Sequence, residues 1–154
     1  MAWTIERVGS ERAEEVFAGV ELLLAELGEE GAELEDLDRP ALLAAWAEAG
    51  DAFGAFLALD GEARPLGLLT LVETFAIYAG GRHGIINEMY VSPPARALGV
   101  GRALVEAACA FGSARGWRRV EVAAPESNRW QRTRDFYERQ GFVFAGPKLK
   151  KSLR

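Results

Sequence analysis

The segment MYVSPPARALGVGRAL, Met89 to Leu104, joins an apolar stretch to a helical pattern through Arg96-x-x-Gly99-x-Gly101 and then Arg102. A helix N-terminus offers unpaired backbone N–H groups and partial positive charge, which together suit phosphate. Glycine at positions 99 and 101 removes side chains that would hold an oxygen away from those donors. Arg96, one turn earlier, and Arg102, just inside the helix, add charge-assisted bonds. The other reading is a glycine-softened helix start that binds nothing. No Gly-Lys-Ser/Thr is present, which excludes a P-loop, and Leu104 stands where a dinucleotide fingerprint needs a third small residue. Glu88 is the second residue of chemical interest. A carboxylate midway along the largely apolar GIINEMYV is unusual unless it is functional or paired.

The elements that must position these groups follow from periodicity. WTIERVG alternates like a short strand. After Ser10, Val16, Phe17, Val20, Leu23, Leu24 and Leu27 keep helical spacing up to a stop at Gly28. The acidic GEEGAELEDLD reads as a loop, and Pro40 opens a second helix that carries Leu43 and Trp46 to Gly50. AFGAFLALD and PLGLLTLVETF are strands joined across Asp60-Gly61. AGGRHG is a turn, which leaves His83 at the surface, and GIINEMYV is the next strand. Strict alternation puts Ile86, Glu88 and Tyr90 on one face and Ile85, Asn87, Met89 and Val91 on the other. From Gly99 a helix runs to about Arg115 with Leu104, Ala107, Ala108 and Phe111 on one face, Cys109 in its packing, and Gly116 as its stop. WRRVEVAA is a strand. Ser127 or Asn128 caps a helix that reaches Gln140 and ends at Gly141. FVFAG and KLKKSL are extended, as one strand or two. The order β-α-α-β-β-β-α-β-α-β predicts an α/β fold, a mixed sheet with helices on its faces.

Composition narrows the class. The 154 residues are 49% apolar and 27% charged, as expected of a single globular domain over 1–154. Residues 1–60 hold 15 acidic and 3 basic side chains, and residues 61–154 hold 8 and 15; the balances of −12 and +7 give the net −5. The rear half therefore welcomes a phosphate-bearing ligand, unless the acidic faces are simply solvated. Scattered arginines with no binding motif argue against nucleic acid. No apolar run reaches the length of a membrane span, so no membrane partner is expected. The single cysteine and the lack of a secretory signal at the start predict a cytoplasmic protein.

From Ile85 to Phe144 the chain resembles the GCN5-related N-acetyltransferases, a superfamily that uses acetyl-CoA. INEMYVSPPARALGVGRALVEAA matches that superfamily's strand, Arg/Gln-x-x-Gly-x-Gly/Ala loop and helix. Asn128 followed by DFYERQGF, residues 135–142, matches its second signature, with an interval about two residues longer than the commonest form. The resemblance implies that the coenzyme diphosphate sits on the backbone of Arg96, Ala97, Leu98, Gly99, Val100, Gly101 and Arg102. Pantetheine would lie along Met89, Tyr90 and Val91, with Asn128 adding a contact, an instance of strand addition by a cosubstrate. No metal is implied.

The chemistry so implied is acetyl transfer from acetyl-CoA to a primary amine. An alkyl ammonium titrates near 10.4 and attacks only after losing a proton. Glu88 is the candidate base, with Glu73 on the preceding strand as the alternative; either could instead orient the acceptor, pair with arginine, or be an exposed strand position. A backbone N–H around Met89 is the donor for the thioester oxygen. Tyr137 matches the tyrosine at the thiolate, where a hydrogen bond is the safer role than proton donation; its other reading is a core aromatic. The two acidic front helices favour a cationic acceptor, a small molecule or a lysine side chain. A catalytically silent acetyl-CoA sensor is the alternative function. The tail after Gly141 leaves an edge for a second subunit, so a homodimer is expected.

Overall fold

The computed structural model describes residues 2–28, 37–125, 127–146 and 148–153. Most of the acidic loop predicted at GEEGAELEDLD lies outside these residues. Five strands, β1 (Trp3–Val8), β2 (Phe53–Asp60), β3 (Pro65–Ala76), β4 (Gly81–Val91) and β5 (Val120–Val122), lie side by side in chain order. The first four pair antiparallel, and β5 runs parallel to β4 after a helical crossover. Helices α1 (Ala13–Leu27) and α2 (Arg39–Ala49) precede β2, α3 (Val100–Ala114) links β4 to β5, and α4 (Gln131–Arg139) follows β5.

Strand β2 explains the layering. It is buried on both faces, as a central strand must be: Phe56 and Ala58 face α3, while Ala55, Leu57 and Leu59 face α1. The α3 side is filled by Leu104, Val105 and Ala108, with Ala107 and Phe111 partly buried, so Val105 joins the helical stripe read from the sequence. The α1 side is thinner, with Val16 fully packed and Val20 and Trp46 partly so. Asp38 caps α2 through a hydrogen bond from the Ala41 N–H (3.1 Å), and Pro40 occupies the first turn.

Four expectations are corrected. The turn before β4 is shorter than AGGRHG, because pairing with β3 extends down to Gly81, opposite Ala76. His83 is consequently a strand residue and only 3% exposed. Cys109 is exposed on the outer face of α3 and packs no core. The last predicted strand does not form among the described residues: β5 spans three residues, ends before Pro125, which has no N–H to donate, and offers little edge for pairing.

The fourth correction concerns alternation in β4. Thr70 pairs with Glu88, yet the next residue of β3, Leu71, pairs with Ile86, so Asn87 is an extra residue in β4. Such a bulge reverses the phase of every side chain beyond it. Ile86 therefore shares the α3 side with Met89 and Val91, while Tyr90 packs on the α1 side.

Candidate active site

Strand β4 changes its surroundings at the bulge. Its upstream half is paired on both edges, to β3 throughout and to β5 at Gly84, Ile85 and Ile86. Beyond Ile86 the β5 side has no partner among the described residues, so Asn87 to Val91 presents an open backbone edge. The bulge turns Glu88 toward the α1 and α2 side, where it lines a cavity of about 510 Å³ with Thr70 and Val72 on the floor. The Thr70 hydroxyl donates to Glu88 Oε1, and no cation among the described residues pairs with that carboxylate.

Glu73 is differently placed. Its carboxylate accepts from Arg115 at 2.7 and 3.0 Å and from the Trp117 indole N–H at 2.6 Å. These donors, Arg115 first, hold its pKa down at about 2. A carboxylate so committed is a poor proton acceptor. It anchors Trp117, whose ring fills space that a Cβ on Gly84 or Gly112 would occupy.

The glycine turn precedes α3 as a 3₁₀ segment, Pro93–Leu98, followed by Gly99 in the left-handed region at φ 85°. No side chain caps α3, so the N–H groups of its first turn lack intrahelical acceptors. A Cβ on Gly99 would meet nothing within 4 Å, so no neighbouring atom crowds the backbone at this position. Gly101 has a different reason. The Phe136 ring lies 3.3 Å from where its Cβ would be, so its small size seats α4 against α3. Arg96 donates to the Val91 carbonyl (2.8 Å) and to Glu26 at the end of α1 (2.6 Å), and Arg102 pairs with Glu106 (2.8 Å).

Tyr137 is 8% exposed, with the rings of Phe136 and Phe142 edge-on at 5.3 and 5.5 Å. Burial pushes its phenol up to about 12. It belongs to the same core as Met89 and Val91, so Tyr137 and Glu88 lie on opposite sides of the sheet. Asn128 starts the exposed 3₁₀ turn before α4, and the next residue, Arg129, donates to the Glu26 carbonyl that ends α1.

Residues 19–142 match the model of the acetyltransferase (GNAT) family. The chain belongs to that family. No curated protein matches this acetyltransferase by sequence search. Its fold is nevertheless similar to solved structures over nearly the whole length. An aminoglycoside acetyltransferase from an uncultured soil metagenomic sample superposes with a TM-score of 0.83 at 18% identity, covering 100% of both chains. A GCN5-related N-acetyltransferase from Ralstonia eutropha JMP134 gives 0.80 at 21% identity, over 98% of this chain and 99% of the other. A ribosomal-protein-alanine N-acetyltransferase from Brucella melitensis biovar Abortus 2308 gives 0.71 at 18%, covering 99% of each.

Within this acetyltransferase the residues chosen from the sequence fall into two groups. Met89, Val91, Gly101 and Tyr137 border the α3 core, with Arg96, Ala97, Leu98 and Gly99 exposed at its rim. Glu88 lies across the sheet beside Thr70. Sequence reading missed the cavity that Glu88 faces, because its walls come from α1, α2, β2 and β3, and it missed Thr70, a neutral residue in an apolar strand. The sequence signal was the bulge itself, since Ile86 and Glu88 cannot both suit one apolar face.

Proposed function

We propose that the protein transfers acetyl from acetyl-CoA to a primary amine of a small molecule or peptide, by direct attack of the deprotonated amine. It acts as a single domain over residues 1–154, in the cytoplasm as its cysteine usage suggests; no helix among the described residues is long and apolar enough to cross a membrane. One observation carries the reading: Asn87 to Val91 combines an open backbone edge with a carboxylate turned into a cavity. The solved neighbours named for aminoglycosides and for a ribosomal-protein alanine support an amine as acceptor.

When bound, acetyl-CoA supplies the activated acyl carbonyl. The backbone from Arg96 to Arg102 would hold the diphosphate, and Arg96, now paired with Glu26, would supply its charge there. The open edge at Met89, Tyr90 and Val91 receives pantetheine, and Asn128 adds a side-chain contact. Glu88 orients the amine and takes its proton, directly or through water, while the Thr70 hydroxyl fixes the carboxylate. The Met89 N–H is the donor for the carbonyl oxygen as it gains charge. The Tyr137 hydroxyl stabilises the departing thiolate by a hydrogen bond. A thiol titrates near 8.5, so full proton transfer from a phenol at about 12 runs uphill.

Calorimetry with acetyl-CoA and release of free thiol with an amine panel test this reading. Saturable binding that Gly99→Trp weakens, with turnover lost in Glu88→Gln at undiminished coenzyme affinity, is the expected result. Loss of about 10²–10⁴-fold in kcat is the usual contribution of a positioned base. Absence of saturable binding by folded protein overturns the proposal. Tight binding without turnover on any amine marks a sensor instead. The expected homodimer rests on the tail, where Val143, Phe144, Leu149 and Leu153 are 84–92% exposed.

A further inference from the structure

Resting on the acetyltransferase reading above, we infer that the acceptor is a primary monoamine carried on an apolar body, held in the cavity between α1, α2 and the sheet. The cavity, about 510 Å³, falls within the size range of sites that enclose small organic ligands. Phe17, Val20 and Leu24 wall it from α1, Ala45 and Trp46 from α2, and Phe53 from β2. The Trp46 ring stands edge-on to Phe53 at 4.9 Å and to Phe17 at 6.3 Å, so three aromatic rings form one continuous wall.

Polar groups are few on this lining. Among the described residues they are Thr70, Glu73, Glu88 and the indole N–H of Trp46. Arg115 and Trp117 occupy Glu73, and the Thr70 hydroxyl is turned to Glu88. Among the described residues one carboxylate is therefore left for one ammonium. A second ammonium, or the many hydroxyls of a sugar, would lose water against aliphatic and aromatic walls with nothing to bond in return. The apolar surroundings also act on the amine itself. Desolvation disfavours the charged form of a bound ammonium and so raises the fraction of neutral nucleophile beside Glu88.

The acidic front of the molecule does not reverse this. On α1, Glu14 and Glu21 both pair with Arg39, Glu15 with Arg12 and Glu26 with Arg96. None of these four glutamates lines the cavity. These four glutamates are thus matched by arginine outside the cavity and add no second carboxylate to its lining.

Phenylbutylamine, spermidine and kanamycin, each with acetyl-CoA and thiol readout, test the inference alongside calorimetry of phenylbutylamine alone. The expected kcat/KM for phenylbutylamine exceeds that of the other two by at least about tenfold, the discrimination a few buried methylenes supply. Ala45 is exposed on α2 and lines the cavity, so substitution there leaves the core intact. Ala45→Trp fills the space and Ala45→Lys places a cation in it; both should raise KM for phenylbutylamine while acetyl-CoA affinity stays constant. Preferred acetylation of spermidine or kanamycin overturns the inference and leaves acetyl transfer standing. Failure of every amine to turn over, with phenylbutylamine bound and expelled by Ala45→Trp, removes the catalytic reading and keeps the ligand class of the cavity. If phenylbutylamine neither binds nor turns over, or binds equally well in both Ala45 variants, the inference falls.

Discussion

Glu73 and Glu88 are similar in sequence, each a lone carboxylate in a strand, and different in their partners. Glu73 binds Arg115 and Trp117, 42 and 44 residues away, so its role could not be read locally. Glu73→Gln should cost about 1–3 kcal/mol of stability, the range for hydrogen bonds to a charged group, and leave kcat within a few-fold. Urea unfolding and thiol release check the two halves of this statement. The acid dependence has a definite sign. Because its folded pKa is lowered from 4.5 to about 2, the contribution of Glu73 is complete above 4.5 and fades as pH falls toward about 2. Wild type should therefore lose stability over that window more steeply than Glu73→Gln. Tyr137 gives a prediction on the alkaline side: with its phenol at about 12, it adds no limb near 10, where ordinary tyrosines titrate, to the one the amine itself produces. A limb near 10 that disappears in Tyr137→Phe would show that the phenol is not buried as described.

At the scale of elements, the glycine turn was legible as a strand-to-helix junction, while the separate reasons for its two glycines were not. Gly99→Ala places a side chain at φ 85°, a left-handed conformation that costs about 1–2 kcal/mol, though space there is open. Gly101→Ala instead pushes on the Phe136 ring, so its loss should be partly recovered in Phe136→Leu. A double-mutant cycle by chemical denaturation should return a coupling of about 0.5–2 kcal/mol for residues in contact. Zero coupling would place Phe136 elsewhere. The arginines were expected to serve the coenzyme, and Arg96 also binds Glu26 at the end of α1. Releasing it with Glu26→Gln should tighten acetyl-CoA binding by about two- to fivefold at low salt, the scale of an exposed ion pair. Unchanged affinity by calorimetry would mean that Arg96 does not reach the coenzyme.

Over the whole molecule, element order was legible because each helix and strand up to α4 carries its own periodicity and stops. Three features were not. The cavity walls are assembled from segments far apart in sequence, the ion pairs of α1 depend on tertiary placement, and β5 keeps only three residues of the strand expected there. Light scattering should report a dimer, and removing residues 143–154 should return a monomer if the tail holds the second copy. A monomer at the outset would assign the exposed apolar side chains of the tail to another contact.

The extra residue at Asn87 has a consequence for how this chain tolerates change. Substituting it should matter little, because its side chain is exposed. Removing it would rotate everything downstream by half a turn of the pleat, driving Glu88 toward leucines and Met89 toward the cavity. What the protein must preserve there is a number of residues between two hydrogen-bonded pairs, a form of information that a comparison of residue types alone does not register.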